Sequence, residues 1–92
     1  MEEIQLTGVT NFENLPKIEF DEEPKKVKLL RRFIKREYVV CHFEYEGKKY
    51  YRSFGSTSPI YTFIVNTLKE GDIFGIALAP IGGGRRMFKA YR

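Results

Sequence analysis

Glu46-Gly47 separates two runs that alternate with a period of two, and that alternation restricts the possible folds more than any other feature of the chain. In "EYVVCHFEYE" (37–46), Val39, Cys41, Phe43 and Tyr45 share one face of a strand, while Tyr38, Val40, His42 and Glu44 share the other. "KKYYRSF" (48–54) returns after the turn, so the two runs read as a β-hairpin. Six of the residues from 38 to 54 are Phe or Tyr, and Lys48, Lys49 and Arg52 lie among them. A strand pair that buries one face needs rings on that face only. Rings interleaved with cations call for a second explanation.

The remaining segments follow from the same patterning. "KKVKLLRRFIKR" (25–36) alternates at Val27 and Leu29 and changes phase at Leu30, which predicts a bulge or sharp bend in a first strand. "GSTS" (55–58) breaks the pattern, and "SPIYTFIVNTLKEG" (58–71) then reads as a helix. Ser58 suits the N-cap and Pro59 the first helical position. Ile60, Ile64 and Leu68 recur at four-residue spacing beside Tyr61 and Val65, and Gly71 supplies the stop. "IFGIALAPI" (73–81) is a buried strand, "GGG" (82–84) a flexible loop, and "RRMFKAYR" (85–92) a last strand. The fold class is mainly β, with five strands and one helix between strands 3 and 4.

Pro24, after "DEE", marks a boundary between residues 1–23 and 24–92. The first part carries seven acids against Lys17 alone, and the second carries fifteen Lys and Arg against five acids. The net charge of +4 therefore hides an acidic arm and a strongly basic domain. Such a balance points to polyanionic partners. Ile4, Leu6, Val9, Phe12, Leu15, Ile18 and Phe20 recur through the arm, so part of it packs on the domain as an added strand. No apolar stretch is long enough to span a bilayer, and "MEEIQLTG" lacks the basic head and apolar run of a secretory signal. A single cysteine allows no internal disulfide and no cysteine-rich zinc site. The expected location is the cytoplasm, or the interior of a host cell if the chain is viral.

The order strand, strand, strand, helix, strand, strand resembles the OB-fold, a five-stranded Greek-key barrel with a helix between strands 3 and 4. The resemblance covers roughly residues 25–92 and rests on the bent first strand, the helix position and "LKEGDIFGI" (68–76), a Gly-Asp turn leading into an alternating strand. Among OB-folds the chain is similar to compact viral or phage-type single-stranded DNA-binding proteins. It departs from bacterial-type single-strand binders in its acidic N-terminal extension and in lacking a long acidic C-terminal tail.

The resemblance implies a binding face on strands 2 and 3, flanked by the 1–2 and 4–5 loops. Single strands need flat rings for bases and cations for phosphates on one surface. Strands 2 and 3 supply Tyr38, His42, Lys48, Lys49, Tyr50, Tyr51, Arg52 and Phe54. The 1–2 connection supplies Arg31, Arg32, Lys35 and Arg36, and the 4–5 loop supplies Arg85 and Arg86. The last strand adds Phe88, Lys89, Tyr91 and Arg92. Alternation also sends about half the rings inward, Phe43 and one of Tyr50 and Tyr51 among them, and paired charges are ordinarily solvated surface.

Cys41 and His42 are adjacent on a strand, face opposite sides and cannot form a nucleophile–base pair. Cys41 reads as a core thiol, and the body's acids are scattered. No catalytic site, metal site or cofactor is expected. The expected activity is binding of single-stranded DNA or RNA with little sequence preference. A second copy of the chain and replication or recombination proteins are further expected partners. The rival reading is a protein-interaction module, such as a viral inhibitor or accessory subunit, using the same rings and arginines as hot spots. An SH3-like or Sm-like barrel is a third, although those lack a long helix between strands 3 and 4. The arm either competes with nucleic acid for the basic groove or serves as a solubilising or pairing extension.

Overall fold

A computed structural model describes residues 15–92, and expectations for residues 1–14 lie outside the described residues. The strands are β1 (Lys25–Ile34), β2 (Tyr38–Tyr45), β3 (Lys48–Gly55), β4 (Ile73–Gly82) and β5 (Arg85–Tyr91), with helix α1 (Pro59–Asn66) between β3 and β4. They form one antiparallel sheet in the order β3-β2-β1-β4-β5. Period-two alternation drives this: Val39, Cys41 and Phe43 on β2 are fully buried and pack with Val27, Leu29, Phe54, Phe74 and Ile76. Helix α1 lays Ile60 and Ile64 on the same core, and Leu68 follows them beyond the helix. Pro59 sits in its first turn as expected, while Ser58 at the N-cap makes no side-chain cap bond. The helix stops at Asn66, earlier than Gly71.

The predicted irregularity in β1 is a bulge. Leu29 pairs with Phe43, but the next β2 residue, His42, pairs with Arg31, so Leu30 is the extra residue. The backbone of Leu29 turns instead to the segment before β4, donating to Asp72 O at 2.9 Å and accepting from Gly71 N. The bulge reverses the phase of β1. Val27 and Leu29 face the core before it; after it Arg32, opposite Cys41, turns inward, and Ile34, opposite Val39, takes the same side of the strand but is 51% exposed at its end.

The closed barrel expected from the sequence is not present, because β3 and β5 are not hydrogen-bonded neighbours. Side chains fill that seam: Phe54 on β3 meets Phe88 on β5 edge to face at 5.0 Å, and the Arg52 guanidinium lies 5.2 Å from the same ring. Residues 16–21 cross beside it. Tyr51 donates to Pro16 O at 2.9 Å and accepts from Ile18 N at 3.1 Å, making a parallel bridge at Lys17. Leu78 of β4 then donates to Asp21 O at 2.7 Å. Between these ends Ile18 and Phe20 enter the core, and Phe20 packs edge-on against Phe43 and Phe88. The glycine run is also tighter than a flexible loop. Gly82 pairs with Arg85, leaving a two-residue turn of Gly83-Gly84 whose φ of 60° and 74° favour glycine.

Candidate nucleic-acid interface

The face of β1–β3 turned away from the core carries a compact group of rings and cations. Register sets it directly: Arg31 of β1 lies opposite His42 of β2, and His42 opposite Tyr51 of β3. In the next row Phe33 lies opposite Val40, and Val40 opposite Ser53. Phe33 meets the His42 ring at 5.2 Å, with the planes inclined by 62°. The Arg31 guanidinium stands 5.9 Å from the Phe33 centroid. Val40 beneath them is buried although it faces away from the core, so the group has an apolar floor. Tyr38, 45% exposed, is on the same face of β2. Lys49 continues that face on β3, with Glu44 between it and Lys28.

Burial first, and the Arg31 charge second, hold the His42 imidazole below its ordinary value of 6.5. It is therefore neutral at physiological pH, presenting a flat ring rather than a cation. Phosphate attraction on this face falls to Arg31 and Lys49, with Lys35 and Arg36 exposed in the tight β1–β2 turn. That turn is fixed by Lys35 N donating to Tyr38 O and by the Tyr61 hydroxyl of α1 donating to Lys35 O.

The remaining residues singled out from sequence lie elsewhere. Arg31 and Arg32 are in β1 rather than in a loop. Arg32 points inward, and its guanidinium donates to the carbonyl of Ile64 in the last turn of the helix and to that of Leu68 just beyond it. Phe54 is buried in the core and offers no platform, because its β3 phase places it opposite Val39. Tyr50 shares that inward phase and packs against Tyr45. Arg52 donates to Ile18 O at 3.0 Å, pairs with Glu19 at 3.2 Å and covers Phe88, so both it and Phe88 seal the seam. Lys48 is exposed beside the β2–β3 turn. Arg85 and Arg86 are exposed at the tip of the β4–β5 hairpin, and Lys89, Tyr91 and Arg92 are exposed towards its base.

Phe33 and Lys28 were missed from the sequence. The signal for Phe33 was the phase change at Leu30, which carries residues 31 and 33 together onto the outer face once one extra residue is counted. Cys41 is fully buried and its thiol is pushed up to about 12, chiefly by burial, so it belongs to the core. Among the described residues no cluster of His, Cys, Asp and Glu could hold a metal ion, and no helix is long and apolar enough to cross a membrane. No known protein family, curated protein or solved structure matches the chain.

Proposed function

We propose that the outer face of β1–β3 binds single-stranded DNA or RNA with little sequence preference. The observation that carries this is the row Tyr51–His42–Arg31, laid directly across three strands with Phe33 beside it. Tyr51, Tyr38 and the neutral His42 offer faces or edges to bases, which are sequence-tolerant because every base has a π-face. Arg31, Lys49, Lys35 and Arg36 neutralise phosphates. The four strand pairings present, and the helix after β3, are also those of an OB-type barrel whose β3–β5 seam has opened. That supports the fold reading behind the expected binding face.

Titration into a fluorescent oligo-dT and the matching duplex, at two salt concentrations, tests the proposal. Tight binding to the single strand is expected, with log affinity falling against log salt by about 0.7 per phosphate contacted. Tyr51→Ala should weaken it by roughly tenfold, within the range of about 1–3 kcal/mol per stacked base. Salt-independent binding, or none, would overturn the proposal and turn attention to a protein partner for the same rings.

A further inference from the structure

A second patch of the same chemistry lies on the other half of the outer face. Lys26 of β1 is opposite Gly75 of β4, and Gly75 is opposite Tyr91 of β5, so three strands again present one row. The middle position has no side chain. A Cβ there would stand 3.5 Å from the Tyr91 Cβ and 3.7 Å from the Pro24 Cβ, so these two residues wall a hollow over Gly75. Tyr91 is 42% exposed and Ile73, beside it on β4, 59% exposed. Two shallow grooves meet here, sharing Lys26 and Ile73. One is bounded by Pro24, Gly75, Tyr91 and Arg92, and the other continues past Lys28 towards Glu44 and Gly47.

Resting on the proposed function, we infer that this hollow is a second subsite for the same single strand. An apolar floor with one exposed ring can take a base, and Lys26 and Lys28 on the rim suit the phosphates on either side of it. Lysine is depleted at protein–protein interfaces, so a rim of Lys26 and Lys28 favours a polyanion over another protein. The link between the subsites passes over Lys28, which lies between Glu44 and Ile73 in register and offsets Glu44; Glu46 lines the far end of the same groove. Along β1, Lys26 and Arg31 are five positions apart, about 16 Å at the rise of a strand. A very short oligonucleotide therefore fills one subsite only. Spanning both falls within the range of about 4–16 nucleotides covered by single OB-type domains.

The test is a length series of oligo-dT, from about three to about sixteen nucleotides, on the whole chain and on Tyr91→Ala, Lys26→Glu and Tyr51→Ala. The replaced side chains are exposed or half-exposed, and thermal melting of each variant shows that it is folded. The parent chain should gain affinity in two stages as length increases. Tyr91→Ala and Lys26→Glu should remove the second gain, about tenfold for the tyrosine, and leave the shortest oligonucleotide unaffected. Tyr51→Ala should weaken binding at every length. If Tyr91→Ala and Lys26→Glu match the parent throughout, or weaken the shortest oligonucleotide as much as the longest, the second subsite is overturned while the β1–β3 face stands. If Tyr91→Ala instead abolishes self-association in sedimentation and leaves oligonucleotide binding intact, the hollow is a contact between copies of the chain and the inference fails. Absence of binding by the parent overturns both readings.

Discussion

Arg31 and Arg32 are neighbours in sequence and opposite in role. One stands over Phe33 on the outer face, and the other reaches back to the end of the helix. Replacing Arg32 with alanine leaves the Ile64 and Leu68 carbonyls without their charged donor, at a cost of about 1–2 kcal/mol for a partly exposed group. Thermal melting should fall by roughly 4–16 °C for a domain of this size, with oligonucleotide affinity of the folded protein little changed. Arg31→Ala should do the reverse, weakening and flattening the salt dependence of binding while melting stays within about 0.5 kcal/mol of the parent. His42 gives a pH signature. Its folded value lies below 6.5, so on acidification the unfolded chain takes up the proton first and stability falls. The loss begins near the unfolded value and ends below the folded one. Melting measured from about pH 7 to pH 5 should therefore fall less steeply in His42→Gln than in the parent.

Turns decide how the elements meet. Glu46-Gly47 holds φ of 53° and 82°, the pair of left-handed residues that matches the twist of a two-residue hairpin. An alanine Cβ would meet nothing within 4 Å at Gly47 or at Gly55, but only Gly47 has a positive φ. Gly47→Ala should thus destabilise by about 1 kcal/mol and Gly55→Ala by no comparable amount, a difference that chemical denaturation resolves. The strands, the bulge and the hairpin were legible because period-two alternation is local, and a one-residue slip shows at once as a change of phase at Leu30. The inner or outer side of single residues was read less well: Phe33, beyond the bulge, was missed, and Phe54, expected on the binding face, is core. What the sequence concealed was the reach of long side chains: Arg32 and Arg52 occupy inward-facing positions and carry their charge to carbonyls distant in the chain. Three consecutive glycines likewise suggested freedom, whereas the pairing of Gly82 with Arg85 fixes them in a tight turn.

At the scale of the molecule, the acidic arm and basic domain are not separable along the line that composition draws. Ile18 and Phe20 lie on the acidic side of Pro24 yet belong to the core. Phe20→Ala should cost about 3 kcal/mol, read as a shift in the denaturation midpoint with the slope unchanged. A deletion designed to ask whether the acids of the arm compete with nucleic acid must accordingly stop before Pro16. Cutting at Pro24 would remove core residues and confuse lost competition with lost stability.

The crossing of residues 16–21 from β3 to β4 also fixes an order of events when the chain is made. Tyr51 and Leu78, which receive this segment, are synthesised long after it, so it must wait exposed while its partners emerge. Contacts of such sequence separation form slowly, since a long loop must close before they are rewarded. During synthesis the contact of Phe20 with Phe88 cannot form until β5 has emerged, so the segment's hold on the seam is completed only when the last strand is made.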